Sequence, residues 1–204
     1  MNVLQCGLTH ALVELDSQEE VLAWRASVRE HRPDGVGEVI PAARTVLVEF
    51  DARRTNFERV RDELLALPMA ERGGQRAAEV VVAARYDGPD LSEVATATGL
   101  SQNEIIERHS GATYTVAFCG FSPGFGYLTG LDPLLRLPRR ATPRISVPAG
   151  SIALADEYTG VYPRCSPGGW QLIGTSDVLA WDLHRDPPAL FIPGTRVRFE
   201  VIGR

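Results

Sequence analysis

The chain has 204 residues, 44% of them hydrophobic and 23% charged, with a net charge of -5 at neutral pH. That composition suits one large or two small folded cores, and it excludes both intrinsic disorder and the basic surface that a nucleic-acid partner requires. All 21 residues counted as Lys+Arg are arginine, which excludes a Walker-type phosphate lysine, a lysine Schiff base and covalent biotin or lipoate, so the chain carries no covalent cofactor.

The first residues lack the basic start of a signal peptide, and apolar runs such as residues 80–84 are far too short to span a bilayer, so the expected location is the cytoplasm, away from any membrane. Cys6, Cys119 and Cys165 stand without CxxC spacing. They imply neither a disulfide framework nor a metal site, and are expected to be small buried residues.

Residues 9–15 alternate as a strand, and Asp16 or Ser17 caps a helix through Val21, Leu22, Trp24, Ala26 and Val28 that ends at His31, Pro33 and Gly35. Strands follow at 37–42 and 44–50. A second helix starts at Thr55, carries Phe57, Val60, Leu64, Leu65 and Leu67, and stops at Pro68. A polar loop over 71–79 leads into a strand over 79–86. The order β-α-β-β-α-β is that of a ferredoxin-like split unit, giving an N-terminal α/β domain over 1–86.

The second domain, 87–204, opens with two short helices, 91–98 and 102–109. Ser101 and Glu104 form a capping box for the second, and Gly111 ends it. From residue 113 onward short strands and turns predict a small β-barrel, closing with a strand in 194–203. The fold class is therefore α+β.

Three Pro/Gly-rich stretches concentrate in this barrel: GFSPGFGYLTGL (120–131), PRISVPAGSIAL (143–154) and SPGGWQLIG (166–174). Proline and glycine at such density build rigid, shaped loops. Phe121, Phe125, Tyr127, Tyr162 and Trp170 among them are either the walls of a small-molecule pocket or plugs of the barrel core. Ser122, Ser151 and Ser166 lie outside any GxSxG elbow, and two precede proline, so their hydroxyls and the Gly168 and Gly169 amides suit the cradling of an oxyanion better than nucleophilic attack.

Residues 91–110 also have the outline of a DNA-binding helix-turn-helix, but Asn103, Glu104 and Glu107 stand where phosphate-binding residues belong, which favours two packed helices. His109 leaves the second helix just before the strand into 120–128. It reads either as a general acid or base at the pocket's edge or as a cation favoured by the helix C-terminus. Arg144 is either a fork for a carboxylate or a charge at the barrel edge.

At GFSPGFGYLTGL, PRISVPAGSIAL and TGVYPRCSPGGWQLIG, and upstream through YDGPDLSEVA and HSGATYTVAF, the sequence resembles the family of the 5-oxoprolinase B-type subunit. This family is also called allophanate hydrolase subunit 1 and includes a Kip-type inhibitor of a sporulation sensor kinase. The resemblance implies a C-terminal cyclophilin-like barrel and ATP-dependent opening of 5-oxoproline to glutamate, with ATP and its magnesium counter-ion supplied to the assembled complex. It implies a companion chain, the C-type subunit of 5-oxoprolinase, together with the third component of that system. It also implies similarity of the paired chains to the carboxyltransferase part of urea carboxylase. Other members imply other roles: inhibition of a sensor kinase, or carboxyltransferase-like chemistry on a urea derivative.

The motif positions carried over are His109 and Arg144 as catalytic candidates, with Phe121, Ser122, Gly124, Phe125, Tyr127, Pro148, Gly150, Ser151, Thr159, Tyr162, Ser166, Gly168, Gly169 and Trp170 as substrate-binding candidates. No metal ligand is implied. Two departures stand out: Asp156-Glu157-Tyr158 where the family has Gly-x-Gln, and Thr175-Ser176 where Arg-Thr is frequent.

Overall fold

The computed structural model describes residues 1–69 and 78–203, and the chain divides into two compact units, Met1–Arg76 and Ala77–Arg204. The polar loop expected over 71–79 falls largely outside the described residues.

The first unit contains β1 (Asn2–Cys6), β2 (His10–Glu14), α1 (Gln18–Glu30), β3 (Val36–Pro41), β4 (Thr45–Phe50) and α2 (Phe57–Ala66). Ser17 caps α1 by accepting the Glu20 amide at 3.2 Å, and Asn56, one residue beyond the expected start, caps α2 by accepting the Arg59 amide at 2.9 Å. Val21, Trp24 and Val28 of α1 and Val60 and Leu64 of α2 recur at three- and four-residue spacing, and pack with Ala11, Val13, Val46 and Val48 of an antiparallel sheet.

That sheet has the order β1-β2-β4-β3, the order of a split β-α-β-β-α-β unit with one exchange. The edge beside β2 is filled by β1, not by the strand that follows α2. Only Val3 of β1 is buried, so the sequence shows no alternation there. The hairpin with β2 nevertheless pairs Asn2 with Glu14 through to Cys6 with His10, and this local pairing occupies the edge.

The strand expected to complete the sheet, β5 (Glu79–Ala84), instead runs parallel to β13 (Arg196–Val201), with Val82 opposite Phe199. The domain boundary thus lies at 76/77 rather than at 86.

The second unit adds α3 (Leu91–Thr98), α4 (Gln102–Gly111), β6 (Thr113–Cys119), β7 (Gly126–Thr129), β8 (Arg144–Val147), β9 (Ser151–Ala155), β10 (Tyr158–Val161), β11 (Ser166–Gly168) and β12 (Gln171–Thr175). Seven strands form one sheet in the order β12-β9-β10-β7-β6-β13-β5. Arg85, just past β5, and Thr175, the last residue of β12, exchange both backbone hydrogen bonds, at 2.8 and 2.7 Å. The sheet is therefore nearly closed on itself, as the α+β, barrel-containing fold class requires.

Leu128, Ile152, Leu154, Val161 and Phe191 fill one core, joined by Leu91 and Val94 of α3 and Ile105 of α4. The residues between them, Ala153, Ala155 and Tyr162, belong to a second cluster with Phe125, Val147, Trp170 and Leu172. Because side chains alternate along a strand, the two clusters lie on opposite faces of the sheet. The expected capping box of α4 is present, Ser101 accepting the Glu104 amide and Glu104 accepting the Ser101 amide.

No helix among the described residues is long and apolar enough to cross a membrane. Two of the three cysteines, Cys6 and Cys165, are exposed rather than buried: β1 turns one side chain in five inward, and Cys165 stands just ahead of the short two-stranded ladder formed by β11 and β8.

Candidate functional site

The loop between β6 and β7 is built from two fused turns. The Phe125 amide donates to Ser122 O at 3.0 Å across Pro123-Gly124, with Gly124 at φ 82, the arrangement of a type II turn. Just before it, the Ser122 amide donates to Gly120 O at 2.7 Å around Phe121, whose φ is 64. This is a γ-turn of the rare positive-φ kind, strained for any residue with a Cβ. Its consequence is a large aromatic ring held 59% exposed.

Beneath that ring the expected pocket aromatics pack on one another. Phe125 meets Phe121, Tyr127, Tyr162 and Trp170 edge-on, with centroids 5.1–5.4 Å apart. Phe125, Tyr162 and Trp170 are 1%, 2% and 5% exposed, so they form a closed cluster, and only Phe121 and the half-buried Tyr127 remain open to a ligand. A hollow of about 600 Å³ lies elsewhere, lined by Arg136, Leu137, Pro138, Asp156 and Glu157, none of them an expected site residue. Asp156, at φ 51 in the two-residue turn between β9 and β10, takes a left-handed conformation that glycine adopts without strain.

The second Ser-Pro-Gly stretch is not a turn. It is the strand β11, pairing with β8 so that Ser166 faces Val147 and Gly168 faces Arg144, with a register shift at Pro167, where a residue lacking an N–H fits a short ladder. A Cβ on Gly168 would lie 2.3 Å from the Tyr162 hydroxyl, whereas one on Gly169 meets nothing nearer than 3.7 Å. Close approach is therefore demanded at Gly168 and not at Gly169.

Pro148, Gly150 and Ser151 form a tight turn in which the Ser151 hydroxyl donates to Pro148 O at 2.9 Å, and the Ser176 amide donates to Gly150 O at 2.8 Å. These three residues shape the scaffold. The Ser122 and Ser166 hydroxyls, by contrast, are buried with no hydrogen-bond partner.

Arg144 reaches from β8 to Asp90, its Nη2 2.5 Å from Oδ1. Arg140 Nη1 donates to the same oxygen at 2.8 Å and to Glu93 at 2.8 Å, while Asp90 Oδ2 accepts the Leu172 amide at 2.6 Å. Asp90 is 1% exposed. It occupies the N-cap position of α3 yet makes no side-chain cap bond, because its carboxylate is engaged by two guanidiniums and β12. Arg144 Nη1 and Arg140 Nε are buried without partners, each at a cost of about 1–3 kcal/mol for an unpaired group.

Tyr162 ties this ion cluster to the aromatics. Its hydroxyl lies against Gly168, opposite Arg144. Burial raises its pKa, while the Trp170 amide and the charges of Arg139 and Arg144 pull it partly back.

His109 and Thr159 lie on the other face. Tyr86 Oη is 2.7 Å from His109 Nδ1, and His109 Nε2 is 2.9 Å from Thr159 Oγ1. Thr159 donates to Ala153 O at 3.0 Å, so its oxygen accepts from Nε2–H, and Nδ1 accepts from Tyr86. Burial holds the imidazole neutral, with its pKa lowered to about 3. Both nitrogens have core partners and the residue has no exposure, so the geometry is that of a satisfied core histidine rather than a pocket-edge acid or base. Among the described residues its ring nitrogens meet Tyr86 and Thr159 and no serine hydroxyl, so the geometry gives no Ser–His pair.

Sequence reasoning passed over Asp90, Arg140 and Tyr86, whose partners lie 23 to 82 residues away. The only local signal was an aspartate at a helix start, which reads as a simple cap.

The carboxyltransferase domain, subdomain C and D family matches residues 1–191. The chain is 52% identical over 112 residues to the B subunit of 5-oxoprolinase from Escherichia coli O157:H7, covering 55% of this chain and 51% of that protein. It is 35% identical over 172 residues to the B subunit of 5-oxoprolinase from Bacillus subtilis (strain 168), covering 84% of this chain and 67% of that one. The chain thus spans between half and two thirds of the length of these relatives. Among solved structures it is similar to TTHA0988, with a TM-score of 0.83 and 37% identity over 97% of this chain and 40% of the other. With the barrel, the paired Ser-Pro-Gly stretches and these likenesses in view, the chain belongs to the carboxyltransferase subdomain C and D family and, within it, to the family of the 5-oxoprolinase B-type subunit.

Proposed function

We propose that this chain is one subunit of an ATP-dependent cyclic-amide hydrolase that opens 5-oxoproline to glutamate, working in the cytoplasm with a companion C-type subunit and a third component. The observation that carries this reading is the likeness, at 52% and 35% identity, to two proteins named as the B subunit of 5-oxoprolinase. An unactivated amide is a poor electrophile, and phosphorylation of its oxygen creates a leaving group.

The first Ser-Pro-Gly loop offers no amide cradle for a triphosphate. The Gly120, Ser122 and Phe125 amides are all engaged inside their own turns, and the chain has no lysine. This supports a reading in which ATP and its magnesium are supplied to the assembled complex, and this chain contributes substrate positioning and a docking surface. Of the loop aromatics Phe121, Phe125 and Trp170, only Phe121 is exposed enough to contribute to such a surface.

The test is ATP-dependent glutamate formation from 5-oxoproline by the reconstituted set, with each chain omitted in turn. Turnover should require every component, and this chain alone should be nearly inactive. Failure of the full set, or full turnover by this chain alone, overturns the proposal. A carboxyltransferase-like reaction on a urea derivative is the second reading, favoured by the description of the matching family; it predicts turnover of the urea derivative and none of 5-oxoproline.

A further inference from the structure

The ion cluster around Asp90 is unbalanced on its buried side. Two guanidiniums, Arg140 and Arg144, converge on a single carboxylate oxygen. The second acid that would balance them, Glu93, has a side chain 67% exposed and touches only Arg140, so solvent screens its charge. Three buried atoms have no hydrogen-bond partner among the described residues: Arg144 Nη1 and Arg140 Nε in the ion cluster, and the Ser166 hydroxyl on β11, the strand that pairs with β8. Buried polar groups in folded proteins are almost always paired, so a group of orphaned donors beside surplus positive charge calls for an anion.

We propose that Arg144, aligned by Asp90 and assisted by Arg140 and Ser166, is the receptor for a carboxylate on the ligand. Guanidinium groups present a planar fork that matches a carboxylate's two oxygens, and Arg144 has one arm fixed on Asp90 with the other left unsatisfied. Gly168 pairs with Arg144 in the ladder, the Tyr162 hydroxyl packs against Gly168, and the Tyr162 ring meets the exposed Phe121 ring edge-on at 6.2 Å, so a chain of contacts links the receptor to Phe121. Asp90 touches no ligand in this arrangement and acts as a positioning residue. The identity of the ligand as a carboxylated lactam rests on the proposed function; the carboxylate receptor itself does not.

The experiment measures binding to this chain by calorimetry with three probes: 5-oxoproline; 2-pyrrolidinone, the same lactam without the carboxylate; and glutarate, a carboxylate without the lactam. The wild-type chain should bind 5-oxoproline at least tenfold more tightly than 2-pyrrolidinone. Arg144→Gln should lower that affinity at least tenfold while leaving 2-pyrrolidinone unchanged, and Arg144→Lys, which keeps the charge and guards against a folding defect, should restore part of it. Asp90→Asn should weaken 5-oxoproline binding less than Arg144→Gln does. Arginine-dependent binding of glutarate without 5-oxoproline would uphold the receptor and sink the 5-oxoprolinase reading. No carboxylate binding by the wild-type chain, or unaltered binding by a folded Arg144→Gln variant, would overturn the receptor.

Discussion

His109 Nε2 stands 2.9 Å from Thr159 Oγ1, on the face of β10 opposite the aromatic cluster, since Thr159 and Tyr162 belong to different sides of the same sheet. This relationship decides what His109 does. Its imidazole completes a chain from the Tyr86 hydroxyl through both ring nitrogens and Thr159 to the Ala153 carbonyl.

Replacing His109 by Ala should destabilise the fold by about 2–4 kcal/mol, because a filled, fully hydrogen-bonded core position becomes a cavity in which the Tyr86 hydroxyl has lost its acceptor, while Thr159 still donates to Ala153. Chemical denaturation measures it. A variant of unchanged stability that loses turnover would restore the catalytic reading.

The same burial makes stability depend on pH. The folded-state pKa of about 3 lies below the ordinary histidine value of 6.5, so the unfolded chain takes up the proton first as pH falls. The contribution is complete above pH 6.5 and is lost progressively between 6.5 and about 3. Between pH 6.5 and 4.5 the loss should be roughly 2 kcal/mol. The carboxylates with lowered pKa, Asp51, Glu104, Asp132 and Asp177, lose their contributions mainly below pH 4.5, so the 6.5–4.5 segment reports chiefly on the imidazole. His109→Gln should flatten the 6.5–4.5 segment of the stability profile, and an unchanged slope would show that the imidazole is not its source.

Asp90→Ala should cost about 3 kcal/mol, since it leaves two guanidiniums without their shared oxygen and the Leu172 amide without an acceptor. Combined with Arg144→Gln in a double-mutant cycle, the coupling should be about 1–3 kcal/mol. Additive losses would mean that the two side chains do not act as one unit.

How far these features were legible follows from the range of the contacts behind them. The capping box of α4 and the start of α1 are set by residues three or four positions apart, and the sequence shows them directly; the start of α2 is legible to within one residue, its cap being Asn56 rather than Thr55. β1 has one inward side chain, so nothing in its pattern reveals a strand until its hairpin is seen. Phe125, Tyr162 and Trp170 are conspicuous as a group, yet pocket wall and core plug need the same residue types. What separates them is burial, which no motif states. Asp90 shows only as a helix start, because its partners arrive from three distant segments.

The glycines of the two Ser-Pro-Gly stretches should respond differently to alanine. At Gly124 the φ of 82 and a Cβ position 2.8 Å from the Trp181 Cβ predict a loss of more than about 1 kcal/mol. Gly168→Ala should also be costly, through the Tyr162 hydroxyl at 2.3 Å. Gly169→Ala should be close to neutral, with nothing nearer than 3.7 Å. Equal effects at 168 and 169 in thermal melts would contradict the pairing of β11 with β8.

Phe121 separates strain from use. Its positive φ costs about 1–3 kcal/mol, while its ring gains only edge contacts with Phe125 and Tyr162, worth about 0.5–1.5 kcal/mol each beyond area burial. Phe121→Gly relaxes the turn as it removes the ring, whereas Phe121→Ala removes the ring and keeps the strain. The glycine variant should therefore be more stable than the alanine variant by about 1 kcal/mol, against the usual order. If the ring is held out for the companion chain, both variants should lose at least tenfold in affinity for it, measured by titration at constant ionic strength. The usual Ala-over-Gly order would deny the strain, and unaltered affinity in both variants would leave the exposed ring without a role in assembly.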